Sequence, residues 1–228
     1  MFWSSSDSHE RVLLENAIQD CRVNVLEKIE GRDNFAATES LSHKLFQIKS
    51  GPQYEFAGLD FVSTWVRDQV VMMACKREIS DITRFVCSTT GVGCLGTIRG
   101  SAFEALCHQL IRSGEPLVVR ELGRYHARSH QIRLPRVEAE TFFHDWNTVE
   151  AASDGEYLRP YSNGLRAVDA LQKPNRLFQI TVAALHPIHA TGLSEAIDSL
   201  NVQGELHLYF VLPSVLFHSF EKQQYFRP

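Results

Sequence analysis

Two runs decide how this chain is read: Leu165–Leu171, LRAVDAL, and Leu177–Ala184, LFQITVAA. Each is short, rich in apolar residues, and alternates with a period of two. Between them lies Gln172-Lys173-Pro174-Asn175-Arg176, a turn sequence. Such runs on either side of such a turn predict a β-hairpin. Alternation places Asp169 on a face with Ala167 and Leu171, and Gln179 on a face with Leu177, Thr181 and Ala183. Phe178, Ile180 and Val182 face the other way and read as core.

Working outward, Gly192–Leu200 has helical spacing, and Leu206–Leu212 (LHLYFVL) reads as a buried strand ended by Pro213. A strand, a helix and another strand imply a right-handed crossover to a parallel neighbour. Upstream, Ser101–Arg112 reads as a helix with Phe103, Leu106, Cys107, Leu110 and Ile111 on its apolar side, followed by Leu117–Leu122 as a strand. Residues 123–164 read as a long, polar, irregular insertion. The succession is α-β-β-β-α-β, an α/β architecture.

The first part has another rhythm. Residues 7–30 repeat apolar side chains at steps of three and four and predict a helix. His43–Lys49 predicts a short strand. From Leu59 to about Val86 the helical spacing returns, enough for one or two helices. Ser88–Gly100 carries four glycines and reads as a boundary, so the expected division is a mainly helical module over 1–95 and a second domain over 96–228.

Composition narrows the classes. The 228 residues are 44% hydrophobic and 22% charged, which excludes wholesale disorder and suits a globular chain with a real core. No apolar run reaches the roughly 18 residues of a membrane span, so no membrane partner is expected. The Ser-rich first ten residues contain Asp7 and no apolar stretch, which does not read as a secretory signal. Five cysteines, at 21, 75, 87, 94 and 107, are odd in number and form no C-x-x-C pair, which points to a reducing compartment. The net charge of −4 does not advertise nucleic-acid binding as a whole, although local patches matter more than the sum.

A carboxylate and a carboxamide on neighbouring strands, Asp169 and Gln179, can meet on one face of a sheet. Hard divalent cations take oxygen ligands, and Mg²⁺ needs only one or two from protein; such a pair suits metal-assisted phosphodiester hydrolysis. Glu104, on the helix that opens the unit, can supply a further oxygen. Glu104 has a second reading: Ser101-x-x-Glu104 is a capping box. Between Arg120 and Arg136 stand five arginines (120, 124, 128, 133 and 136) with a single acid, Glu121. Guanidinium forks suit phosphate oxygens; the alternative is a solvated basic loop. His186-Pro-Ile-His189 reads either as two metal ligands or as a strand-exit turn. The aromatic tail Phe217, Phe220, Tyr225 and Phe226 reads as a packing helix. Gly91-x-Gly93-x-x-Gly96 has dinucleotide-site spacing without a clear strand before it, and no G-x-x-x-x-G-K-[ST] occurs.

The helix GSAFEALCH, the strand VVREL, the block AVDAL, then LFQITV with HPI after it, and LYFVLP, in this order, resemble the C-terminal domain of Crinkler-type effectors and their retrotransposon-hot-spot relatives. The resemblance runs from about residue 96 to the end. Upstream, SHKLF and DFVSTWV look like the tail of the ATPase module that often precedes that domain; with no phosphate loop, ATPase activity is not expected. The resemblance implies a restriction-endonuclease-like αβββαβ core of the PD-(D/E)XK group, a mixed sheet flanked by helices. It implies a Mg²⁺ (or Mn²⁺) cofactor, DNA as partner, and action in the nucleus, often a host nucleus reached by secretion, with host nuclear proteins as further partners. The N-terminal helical part reads as a remnant module or a dimerisation surface, so a homodimer is a further expectation. Asp169 then matches the metal-binding aspartate, Gln179 the acid or glutamine of the second element, and Glu104 the helix glutamate. Thr181 stands where the pattern has lysine and brings no positive charge; Lys173 or His186 are the expected substitutes. The alternative is a catalytically inactive module that binds DNA or a nuclear protein.

Overall fold

The computed structural model describes residues 12–13, 15–18, 45–77, 79–123, 127–161, 167–202, 204–221, 223 and 225–226. The helix expected over 7–30 therefore lies mostly outside the described residues; 12–13 and 15–18 are helical. The chain divides into two compact units, residues up to 106 and residues from 107. Among the described residues no helix is long and apolar enough to cross a membrane.

The first unit opens with an antiparallel pair, β1 (Phe46–Ser50) and β2 (Phe56–Phe61), in the register Phe46↔Phe61 to Lys49↔Gly58. Phe46 and Phe61 pack ring to ring at 5.2 Å, and Lys49 reaches Asp60 at 2.6 Å. Leu59–Phe61 is thus strand, which corrects the helix expected to begin at Leu59. The apolar spacing there continues into the helix that follows, so periodicity alone cannot mark the change. Ser63 marks it: its Oγ accepts from Val66 N at 3.2 Å and caps helix α1 (Thr64–Arg77). Helix α2 (Ile79–Ser88) follows. The glycine-rich stretch comes directly after α2, with Gly91 at φ +87°, a short 3₁₀ turn over Gly93–Leu95, and helix α3 (Gly96–Ser113). A helix precedes these glycines, so the strand–turn–helix context of a dinucleotide site is missing.

The second unit is built on a five-stranded mixed sheet. Its strands are β5 (Thr141–Phe143), β6 (Tyr157–Pro160), β7 (Ala170–Gln172), β8 (Arg176–Ile180) and β10 (His207–Val211). They lie in the order β10-β8-β7-β6-β5. The expected hairpin is β7 and β8, antiparallel with Ala170↔Phe178, Leu171↔Leu177 and Gln172↔Arg176. It is shorter than the expected runs: 167–169 and 181–184 are not strand, Gln172 and Arg176 join the ladder instead of the turn, and 165–166 lie outside the described residues. Strand β10 is parallel to β8, with Gln179 beside Phe210, and helix α5 (Ala190–Leu200) makes the crossover.

Two expectations change. Residues 123–164 are not an irregular insertion: they hold β4 (His130–Ile132), β5, helix α4 (Trp146–Ala151) and the inner strand β6, between β7 and β5. Tyr157-Leu158-Arg159-Pro160 contains an arginine and a proline, which argue against a buried strand from sequence. Tertiary contacts compensate, because Arg159 Nη1 reaches Glu140 at 3.1 Å and its guanidinium lies 5.1 Å from the Phe142 ring. Strand β3 (Leu117–Val119) in turn leaves the main sheet and pairs with β4. The expected α-β-β-β-α-β succession is not contiguous: β3, β4, β5 and α4 stand between α3 and β6, and the short strand Ile188–His189 between β8 and α5. The elements α3, β6, β7, β8, α5 and β10 follow in that order, with β6 in the place expected for Leu117–Leu122.

Each face of the sheet has its own core. Leu158, Leu171 and Leu177 pack with Val149 of α4 and Leu193, Ala196 and Leu200 of α5. Tyr157, Ala170 and Phe178 pack on the other face with Ile111 and Leu134. Burial pushes the Tyr157 phenol well above its ordinary pKa, and it pairs with His108 Nδ1 at 2.7 Å. Lys173 closes the hairpin from its turn, donating its Nζ to the carbonyls of Val149 and Glu150, both at 3.0 Å, and so caps the end of α4.

The N-terminal turn of α5 sits tight on the chain just before β7: a Cβ at Gly192 would lie 2.9 Å from the Ala167 Cβ. Alanine is the better helix former by up to about 1 kcal/mol, but overpacking costs about 1–3 kcal/mol. Gly192→Ala is therefore expected to destabilise the fold by about 1–2 kcal/mol, measured by urea unfolding; a variant as stable as the parent would remove the constraint assigned to Gly192.

Candidate functional site

The hairpin is uneven. Strand β7 begins at Ala170, whereas β8 is still extended at Ile180, and the register continued one step would set Asp169 opposite Gln179. The chain instead bends at Asp169. Thr181 N donates to Val211 O on β10 at 3.1 Å, so by alternation Ile180 N points toward β7, where no strand carbonyl remains for it. The Asp169 carboxylate takes that place: Ile180 N donates to Oδ2 at 2.6 Å, while Asp169 N donates to Phe178 O at 2.9 Å. The carboxylate is thereby fixed against β8 between Gln179 and Thr181.

Gln179 is 3% exposed, and its Oε1 is buried with no hydrogen-bond partner among the described residues. A buried acceptor left unmet costs about 1–3 kcal/mol, so this oxygen either weakens the fold or awaits a ligand. Its strand neighbour is Phe210. The Phe210 ring meets the edge of the His186 ring at 6.4 Å and packs on Phe220 at 5.2 Å.

Thr181 is buried just past the end of β8, and its Oγ1 accepts from Ala183 N at 3.1 Å. That local turn steers the chain out of the sheet. Lys173 stands at the opposite end of the hairpin from Asp169, with its ammonium on the α4 carbonyls. As a substitute for the motif lysine it is corrected: the turn that makes it nearby in sequence carries it away in space. His186 is half-buried, and burial lowers its pKa from the ordinary 6.5. His189 is the N-cap of α5, its Nδ1 accepting from Gly192 N at 3.1 Å, so one nitrogen of the proposed histidine pair has a structural use.

Glu104 belongs to the first unit. Helix α3 opens at Gly96, five residues before Ser101, so the Ser101–Glu104 capping box does not form. Ser101 Oγ points to Asp60 Oδ1 at 3.5 Å, and Glu104 Oε1 accepts from Arg67 Nη1 at 3.1 Å. Burial opposes the charge on Arg67, yet the Glu104 and Asp68 carboxylates outweigh it and hold its pKa above the ordinary value.

The arginines divide. Arg120 Nε donates to Phe217 O at 2.8 Å, its Nη2 donates to Phe220 O, and its guanidinium lies over the Phe217 ring. These donors hold the C-terminal tail. Arg124 lies outside the described residues. Arg128, Arg133 and Arg136 are exposed and make no ion pair among the described residues; Arg128 and Arg133 flank β4. The tail itself is helical only over α6 (Ser214–Phe217), which corrects the expected packing helix, although Phe220 is buried as packing requires.

Sequence reasoning missed Gln223. Its Oε1 accepts from His186 N at 2.7 Å, and its Nε2 donates to Glu221 O at 2.7 Å and faces Ala184 O at 3.5 Å. It ties the tail to the loop that carries His186, next to the parallel pair β9 (Ile188–His189) and β11 (Tyr225–Phe226). A glutamine among polar neighbours carries no signal of such a role.

Among the described residues no three His, Cys, Asp or Glu side chains form a cluster of metal-binding type. The Asp169 carboxylate and the Gln179 carboxamide are oxygen donors that suit a hard cation, and the unmet Gln179 Oε1 fits such a role. Comparison with protein-family models, with curated proteins and with solved structures finds no match.

Two outcomes follow. Gln179→Met replaces the unmet acceptor by an apolar group of similar length, and it is expected to raise the melting temperature in metal-free buffer; a lower one would show that the carboxamide is structurally satisfied. For His186, the folded chain binds its proton at lower pH than the unfolded chain. Stability is thus level above about pH 6.5 and falls as pH drops below it, because the unfolded state takes the proton first. His186→Gln should flatten that part of the stability–pH curve, as read by chemical denaturation from about pH 7.5 to 5.

Proposed function

We propose that this chain is a Crinkler-type effector domain of restriction-endonuclease-like architecture that acts on nuclear DNA through metal-dependent phosphodiester hydrolysis. The observation that carries the reading is the pairing of the Asp169 carboxylate with Ile180 N beside the unmet, buried Gln179 Oε1. The α-β-β-β-α-β succession around it supports the same reading. Asp169 and Gln179 would hold Mg²⁺ or Mn²⁺. The metal, when bound, supplies Lewis-acid polarisation of the phosphodiester and a more acidic water.

The remaining roles belong to side chains. Asp169 is held in place by a main-chain donor, Ile180 N. His186, kept neutral by burial, can accept a proton near pH 7. Arg128, Arg133 and Arg136, exposed around β4, offer guanidinium forks to backbone phosphates.

One observation favours a second reading. Thr181 is neutral and turned onto Ala183 N, and Lys173 is held by α4, so neither brings a cation to the attacking water. On this reading the domain is inactive and binds DNA or a nuclear protein, and Arg128, Arg133 and Arg136 carry the binding.

The test is plasmid nicking with Mg²⁺ or Mn²⁺. Asp169→Ala also deletes the acceptor of Ile180 N, so Asp169→Asn is the sharper variant: its Oδ1 still accepts that hydrogen bond without the charge. Nicking by the parent that EDTA stops and Asp169→Asn abolishes is the expected result. Nicking unchanged in Asp169→Asn would refute the site. No nicking by a folded parent, with a mobility shift on intact DNA, would select the binding module. In either case, replacing Arg133 and Arg136 should weaken binding across sequences and lower the salt slope of log K by about 1 per arginine that meets a phosphate.

A further inference from the structure

The two edges of the five-stranded sheet are treated differently. At one edge, β5 has three residues and follows Glu138 and Glu140, a short edge with charges beside it. At the other, β10 runs His-Leu-Tyr-Phe-Val, five residues without Lys, Asp, Glu or Pro. Soluble proteins guard open strands with those features because an unpaired ladder recruits another strand. All five residues of β10 are part-exposed, and among the described residues no strand other than β8 pairs with it.

Its hydrogen-bonding groups are assigned by the neighbouring ladder. His207 N donates to Asn175 O at 2.9 Å and Val211 O accepts from Thr181 N at 3.1 Å, so 207, 209 and 211 turn their main-chain groups to β8. Leu208 and Phe210 turn theirs outward. Neither makes a main-chain hydrogen bond on that side among the described residues. Two N–H and two C=O groups are therefore presented in a row, two residues apart.

We propose that β10 is a dimerisation strand, which pairs antiparallel with β10 of a second copy about a two-fold axis at Tyr209. The spacing is self-complementary. Centring on Tyr209 sets Leu208 opposite the second copy's Phe210, and Phe210 opposite its Leu208. Each pair exchanges two hydrogen bonds, so all four outward groups of each strand are met. Tyr209 faces its own counterpart, and His207 faces Val211, so no like charges oppose one another. The side chains continue the existing layers: Leu208 and Phe210 pack with the α5 side, and Tyr209 stacks on Phe178 at 5.5 Å. A single two-fold contact also closes the assembly at two copies, leaving the guarded β5 edges at its ends. The proposal is independent of the chemistry proposed for Asp169 and Gln179.

The test uses the full chain. Sedimentation velocity across a concentration series is expected to show a monomer–dimer equilibrium. Hydrogen exchange resolved to single amides should find Leu208 and Phe210 protected at dimer concentrations and fast on dilution. Leu208→Pro removes an outward N–H and leaves the ladder to β8, and it should weaken the dimer at least about tenfold. Tyr209→Cys should form a disulfide between copies under mild oxidation, above the background of the parent. A monomer at every concentration would overturn the proposal. So would a dimer whose Leu208 and Phe210 amides exchange fast, or protection of those amides in a monomer, which would mean that another segment covers the edge. Should Leu208→Pro fail to fold, the exchange measurement on the parent still decides.

Discussion

The hydrogen bond from Ile180 N to the Asp169 carboxylate organises the second unit. Strand β8 is buried on both faces and paired on both sides, and it extends past the start of β7. A strand that outruns its neighbour leaves an N–H without a main-chain acceptor in a place water reaches poorly. Asp169 supplies the acceptor from its side chain, at 2.6 Å. The same bond explains why an aspartate is tolerated beside a strand so apolar, and why its carboxylate stands against β8 at the level of Gln179 and Thr181.

Around that bond, several polar side chains that look available in the sequence are already engaged. Lys173 ends α4, Arg120 holds the tail, His189 begins α5, and Thr181 turns the chain out of β8. Each does so by meeting a main-chain group that secondary structure leaves over. Among the described residues, Gln179, with its buried Oε1, and Arg128, Arg133 and Arg136 on the surface are not engaged in this way. The functional proposal rests on these and on Asp169. One is an unmet acceptor inside the fold, and the others are donors facing solvent.

The C-terminal tail joins these regions within the second unit. Arg120 holds Phe217 and Phe220, Phe220 packs on Phe210, Phe210 lies beside Gln179, and Gln223 grips the loop of His186. Phe210 also belongs to the open strand β10. A pairing of β10 with a second copy would thus act on the strand whose other side borders Gln179. The apolar order of the tail, LYFVLP and the aromatic residues after it, signals packing. Which groups it packs against depends on partners nearly a hundred residues away.

The hairpin β7–β8, the crossover helix α5 and the parallel strand β10 were legible in the sequence, because all depend on local alternation and on turn chemistry. Helical spacing likewise marked α1, α2 and most of α3. Four things were decided by tertiary structure alone. Strand β6 takes the place before β7 that Leu117–Leu122 was expected to fill, and the Arg159 charge it carries is met by Glu140, outside the strand. Leu59–Phe61 is strand because β1 pairs with it. Glu104 faces Arg67 because α3 begins five residues earlier than the capping-box pattern implies. Lys173 lies on α4 because the turn directs it away from the open end of the hairpin. Period and turn chemistry act between neighbours in the chain and can be read from residues alone. The partner of a buried charge or of a spare main-chain group is chosen by what the fold brings within about 3 Å, and no local pattern encodes it.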